Sequence, residues 1–173
     1  MRSPAALAVT LLVLAPVAAS GQVPDQDGPS ALTVYGHADY DWAIRELDGG
    51  AISLGAFEGR VVFINMWASW CVPCVREMAS IERLREAMGD ADMDFLIVAA
   101  DEERPVRRFL RRYPYDLPIY LEEQRMPLAF GLRGLPTSWV VDRQGRIVLL
   151  RHGEAVWDTP EVVAFLRSVI ESG

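Results

Sequence analysis

Apolar and polar positions along the chain divide it into segments with distinct periods. Val61 to Met66 is an unbroken apolar run rich in β-branched residues, short enough to be a strand buried on both faces. After it, Val75, Met78, Ile81, Leu84 and Met88 recur at helical spacing, and Gly89 stands where such a helix would end. Met93 to Ala100 reads as a second buried strand. Arg104 to Tyr113 carries Val106, Phe109, Leu110 and Tyr113 on one face, with Pro105 tolerated in the first turn, and reads as a crossover helix. Leu117 to Leu121 is a third strand. A short helix is expected over Gln124 to Phe130, before Gly131. Strands Thr137 to Asp142 and Arg146 to Arg151 flank the turn Asp142-Arg143-Gln144-Gly145. Upstream, Asp41 to Leu47 and Ala51 to Leu54 flank Asp48-Gly49-Gly50, which predicts a hairpin. The last element is a helix from Pro160, capped by Thr159 or Asp158, with Val162, Val163, Leu166, Val169 and Ile170 on its apolar face. Alternating strands and helices that end in a hairpin and a closing helix predict an α/β fold. Its central mixed sheet would have helices on both faces and the Val61 strand at its centre.

Composition narrows the partners. With 173 residues the chain can bury one core, and a single domain is expected over 33–173. The formal charge of −7 argues against nucleic acid and anionic lipid as non-specific partners, since both usually need a basic face. All 17 basic residues are arginines, so no lysine is present to tune a thiol or form a Schiff base. Arg107, Arg108, Arg111 and Arg112 form a basic stripe on the crossover helix, read as a solvated face.

The first residues change the compartment. Met1-Arg2 followed by the apolar run Ala5 to Ala19, with small residues at its end, has the layout of a secretory signal over 1–19, cleaved after Ala19. An uncleaved membrane anchor is the alternative, because the run approaches the lower limit of about 17 residues for a spanning helix. Residues 20–32, rich in Gly, Pro, Asp and Gln, read as a flexible linker. An exported, periplasmic location would place the two cysteines where disulfides persist.

Those cysteines carry the candidate chemistry. Trp70-Cys71-Val72-Pro73-Cys74 joins a strand to a helix and so places Cys71 at the helix N-terminus, with Cys74 one turn inside. Unpaired amides and the positive end of the helix dipole stabilise a thiolate at Cys71, lowering its pKa below the usual value of about 8.5. Cys71 is then the nucleophile and Cys74 the resolving thiol, the short spacer letting the pair close. Other uses of the pair compete. A structural disulfide over so short a loop constrains little chain entropy. A zinc site lacks a second Cys pair, and His37 and His152 are isolated. Two thiolates do suffice as soft ligands for copper(I), which leaves a copper-carrying module as the rival from another class.

Phe63-Ile64-Asn65-Met66-Trp67-Ala68-Ser69-Trp70-Cys71-Val72-Pro73-Cys74-Val75-Arg76-Glu77-Met78 resembles the active-site stretch of the TlpA/ResA-like thioredoxins. Gly134-Leu135-Pro136-Thr137 is similar to that family's cis-proline loop, and Gly153-Glu154-Ala155 to its glycine turn before the last helix. The resemblance spans about Tyr40 to Glu171. It implies a thioredoxin fold with an N-terminal β-hairpin, and an inserted helix and strand over Arg104 to Leu121. It also implies a cis Leu135–Pro136 bond facing the cysteines.

The activity implied is thiol–disulfide exchange without a cofactor or a metal. Cys71, Cys74 and Glu77 would act in catalysis, with Trp70, Val72, Pro73, Leu135, Pro136 and Thr137 shaping the substrate groove. Implied partners are disulfide-bearing envelope proteins, such as apocytochromes c or copper-delivery proteins, and a membrane thiol-electron transporter of the CcdA or DsbD kind. Several positions depart from related patterns. Asn65 stands where cytoplasmic thioredoxins have a buried aspartate that moves the proton of the second cysteine. Glu77, on the next turn after Cys74, offers a replacement base. A solvated helix-surface glutamate is the competing reading of Glu77. Ala79 replaces a frequent proline. The spacer lacks the histidine of strongly oxidising DsbA-like proteins, which favours reduction over disulfide oxidation or isomerisation. Ala68 stands where a peroxidase of this fold would need a threonine.

Overall fold

The protein is described by a computed structural model over residues 33–172, so the expected signal at 1–19 and linker at 20–32 lie outside the described residues. Eight strands form one sheet: β1 (Gly36–His37), β2 (Ala43–Glu46), β3 (Ala51–Ser53), β4 (Val61–Trp67), β5 (Met93–Ala99), β6 (Ile119–Glu122), β7 (Thr137–Val141) and β8 (Arg146–His152). Three α-helices accompany them, α1 (Val72–Met88), α2 (Glu103–Arg112) and α3 (Pro160–Glu171). The strand order is β1-β8-β7-β4-β5-β6-β2-β3. β4, β5 and β6 run parallel, and the remaining neighbours pair antiparallel. This is the mixed sheet of a thioredoxin fold, and β4 lies inside it with all seven residues buried.

The N-terminal hairpin β2–β3 joins the sheet through β6, the strand of the inserted unit, in the register Ile44↔Glu122 to Glu46↔Tyr120. In this order β6 separates the hairpin from β5. The insertion therefore widens the sheet on the side away from β7 and β8.

The expected distribution of helices differs from the structure in one respect. The α-helices all pack on one face, where Met78, Ile81 and Leu84 of α1, Val106 and Phe109 of α2, and Phe165 and Leu166 of α3 join Phe63 and Trp67 of β4 in one core. The reason is handedness. β4-α1-β5 and β5-α2-β6 are successive crossovers that step the same way across the sheet, and right-handed crossovers in one direction put both helices on the same face. The opposite face is covered by loops and single 3₁₀ turns. Trp42, Leu54, Phe130 and Trp139 pack there against Ile64 and Met66.

One smaller expectation also shifts, and one strand was not expected. In place of a helix over Gln124 to Phe130, only Leu128–Phe130 forms a 3₁₀ turn. Pro127 disfavours helical backbone at the residue before it, and Gly131 ends the turn in the left-handed region, at φ 62°. β1 is too short, at two residues, to show a period, and it pairs with β8 at Ile147 and Arg146. The last helix is capped by Thr159, whose hydroxyl accepts from the Val162 amide at 3.3 Å. Arg107 of the basic stripe is held within the protein by Glu103 and Asp48, at 2.6 and 2.7 Å.

Candidate active site

The chain leaves the sheet at Trp67, turns, and enters α1 within four residues. The Cys71 amide donates to the Ala68 carbonyl at 3.0 Å, closing a tight turn with Ser69 and Trp70 at its corners. Cys71 is the N-cap of α1, and its sulfur accepts from the Cys74 amide at 3.3 Å. That bond occupies one of the amides a helix start leaves unpaired, and the same amide would stabilise a thiolate on Cys71. Pro73 in the first turn costs no helical hydrogen bond, because an amide there has no partner within the helix.

Cys71 and Cys74 form a disulfide, with Cα atoms 5.3 Å apart. Cys74 is fully buried, whereas Cys71 keeps 6 % of its surface exposed. Around Cys71 the surface is apolar, since Trp70 and Val72 are 72 % and 62 % exposed. Trp67, by contrast, is wholly buried against Phe109.

The second wall comes from the start of β7. Met66 pairs with Thr137 in the sheet, so the loop Gly134–Pro136 lies beside the end of β4. The Leu135–Pro136 peptide is cis. The loop is tied at several points. Thr137 Oγ1 donates to the Gly134 carbonyl at 2.7 Å and faces His152 Nδ1 at 3.2 Å, and the Pro136 carbonyl accepts from the Gly153 amide at 2.9 Å. Pro136 and Thr137 are buried, and Leu135 is half-buried.

Beneath the cysteines lies a polar network inside the core. Glu77 is 1 % exposed, which excludes the solvated-surface reading. Its Oε1 accepts from Asn65 Nδ2 at 2.8 Å, and its Oε2 accepts from the Ala155 amide at 3.0 Å and Trp157 Nε1 at 3.1 Å. Asn65 Nδ2 also donates to Ser138 Oγ at 2.8 Å, while Asn65 Oδ1 is buried without a hydrogen-bond partner among the described residues. Burial pushes the Glu77 pKa above the ordinary carboxylate value, against the opposing pull of the bonds from Asn65, Trp157 and Ala155. A carboxyl so placed binds a proton more tightly than a solvated one, which suits it to accept one from a neighbouring thiol.

Sequence reasoning singled out Asn65 and Glu77 but missed Ser138, Ala155 and Trp157. The one available signal was Ser138 itself, a polar residue in an apolar strand, because a buried hydroxyl needs a partner. Ser80 adds a further tie, donating to the Glu77 carbonyl at 2.8 Å and accepting from the Trp157 amide at 3.2 Å. Among the described residues, no three His, Cys, Asp or Glu side chains come together to hold a metal, and no helix is long and apolar enough to cross a membrane.

Comparison with known proteins agrees with this geometry. The Redoxin family model matches residues 26–166. The thiol-disulfide oxidoreductase ResA of Halalkalibacterium halodurans is 33 % identical over 120 residues, covering 68 % of each chain. The thioredoxin-like protein YneN of Bacillus subtilis is 30 % identical over 110 residues, covering 62 % of this chain and 65 % of its own. Among solved structures, the thioredoxin domain of a Bacteroides vulgatus thiol-disulfide oxidoreductase superposes with a TM-score of 0.66 at 18 % identity, covering 81 % of this chain and 99 % of that one. A thiol:disulfide interchange protein of Chlorobium tepidum superposes at 0.61, also at 18 % identity, covering 81 % and 97 %. At such identities these two carry the fold alone. The family match and the ResA relative carry more: this chain belongs to the Redoxin family, as a TlpA/ResA-like thiol-disulfide oxidoreductase of thioredoxin fold.

Proposed function

We propose that the protein is an exported reductase of protein disulfides, with Cys71 as the attacking thiol and Cys74 as the resolving one. The observation that carries this is the unequal placement of the two sulfurs. Cys71 sits at a helix N-cap behind an exposed apolar rim, while Cys74 is sealed in the core one turn from a buried carboxyl.

In the first step the Cys71 thiolate attacks one sulfur of a client disulfide. A mixed disulfide forms, the client S–S bond breaks, and the departing client thiolate takes a proton from solvent. In the second step Cys74 gives its proton to Glu77, directly or through water, and its thiolate attacks the Cys71 sulfur. The second client thiolate leaves and takes up the proton that Glu77 gives back, so the client has gained two electrons and two protons and the protein holds the Cys71–Cys74 disulfide. Trp70, Val72 and Pro73 on one side, and Leu135, Pro136 and Thr137 on the other, form the groove for the client chain. No cofactor enters these steps.

Resemblance to the family supports the finer assignment. Clients would be cysteines of apocytochromes c or of copper-delivery proteins, and a membrane transporter of the CcdA or DsbD kind would return the electrons. The apolar run at 1–19 supports export. The rival is copper(I) carriage on the same two sulfurs. Purified dithiol protein mixed with a protein disulfide under anaerobic conditions should reduce about one disulfide per chain. Tight binding of one copper(I) with no disulfide reduced would instead establish the metal-carrying reading.

A further inference from the structure

Asp101 lies outside the catalytic set described above, yet it is built into the turn that presents Cys71. β5 runs parallel to β4 and ends level with it. Trp67 and Ala99 are the last paired residues, and the Ala100 amide donates to the Trp67 carbonyl at 2.9 Å. Asp101 follows immediately and reaches across to the Ala68–Cys71 turn.

In that turn the Cys71 amide is spent on the Ala68 carbonyl, and the Ser69 amide turns to Asp101. Asp101 Oδ2 accepts from that amide at 2.9 Å and from the Ser69 hydroxyl as well. The second carboxylate oxygen, Oδ1, is buried with no hydrogen-bond partner among the described residues. Asp101 thus makes both of its hydrogen bonds to Ser69, two residues before Cys71, and among the described residues no arginine pairs with it.

Two consequences follow. Tying Ser69 fixes the backbone that sets Trp70 outward and Cys71 at the N-cap. A carboxylate bonded to Ser69, two residues before Cys71, also opposes negative charge on the Cys71 sulfur. We propose that Asp101 is a positioning residue for the exchange reaction: through Ser69 it holds the turn that presents Cys71, and its charge disfavours the Cys71 thiolate, biasing the pair toward the disulfide and making the protein a stronger reductant. The proposal rests on Cys71 being the attacking thiol.

Two variants of the full chain separate the two effects. Asp101→Asn keeps an amide oxygen able to accept both bonds from Ser69 and removes the charge, whereas Asp101→Ala removes both. The readouts are the equilibrium of the Cys71–Cys74 pair with glutathione, the titration of Cys71 by thiolate absorbance, and the rate of reduction of a test disulfide. Asp101→Asn should shift the glutathione equilibrium about tenfold toward the dithiol, which is about 30 mV, and make Cys71 ionise at lower pH. Asp101→Ala should slow reduction about tenfold, and Asp101→Asn should restore most of that rate.

A glutathione equilibrium and a Cys71 titration unchanged in Asp101→Asn would overturn the proposal. So would equal slowing in both folded variants. Should Asp101→Ala fail to fold, Asp101→Asn alone still decides. Failure of the wild-type protein to reduce disulfides would instead count against the reductase reading, because the glutathione equilibrium is measured whichever way the protein works.

Discussion

Cys74→Ser protein mixed with envelope proteins should accumulate mixed disulfides on Cys71 and release almost no reduced client, while Cys71→Ser should form no adducts and reduce nothing. The asymmetry follows from burial. Cys74 is fully buried and cannot meet a client disulfide, whereas Cys71 has exposed surface beside Trp70 and Val72. With Cys74 gone, the reaction stops after the first exchange, because serine cannot attack the Cys71 sulfur. Non-reducing electrophoresis followed by mass spectrometry reads the result and names the clients. Adducts on the Cys71→Ser protein, or none on Cys74→Ser, would reverse or remove the assigned roles.

The next largest effect is expected at Glu77. Glu77→Gln would remove the proposed acceptor for the Cys74 proton, and the second exchange should slow about 10²-fold, at the low end of the contribution of positioned acids and bases. The mixed disulfide would then be seen as a transient in stopped-flow mixing. A general structural defect would not give this pattern, since the first exchange should keep its rate.

The same residue has a second, independent signature in stability. Because the folded state raises the Glu77 pKa, chiefly by burial, the folded protein binds that proton more tightly than the unfolded chain does. Its stabilising contribution is therefore complete below the ordinary carboxylate range and declines as pH rises through the raised value. Glutamine does not titrate, so Glu77→Gln should gain stability relative to wild type as pH rises from acid to neutral. Melting curves across that range check the sign. A difference that stays flat with pH would mean that Glu77 ionises as a solvated carboxyl does.

How much of this was legible in the sequence depends on the distance over which residues act. The buried strand Val61 to Met66, the helix after Cys71 and the Gly134-Leu135-Pro136-Thr137 loop each announce themselves locally, by apolar run, period or motif. The cis bond at Pro136 came only through resemblance, since a trans bond is the ordinary expectation for an X–Pro pair. The rest of the network around Asn65 and Glu77 was largely invisible for a different reason, Ser138 alone standing out as a polar residue in an apolar strand. Trp157 lies 80 residues away, and Ser138 reaches the network through Asn65 across 73 residues, so neither contact leaves a local pattern. Asp101 carries no local signal in the sequence, and its bonds to Ser69 arise only because β5 ends beside β4. Placement of α1 and α2 on one face follows from the sense of their successive crossovers, which requires the strand order first.

Reductant or oxidant is the question on which the proposed function turns, and the reduction potential of the Cys71–Cys74 pair answers it most directly. Equilibrated against a reference dithiol couple, the full chain should show a potential near or below about −270 mV, the value of a reducing thioredoxin. A potential near about −120 mV, where strongly oxidising proteins of this chemistry lie, would contradict the account.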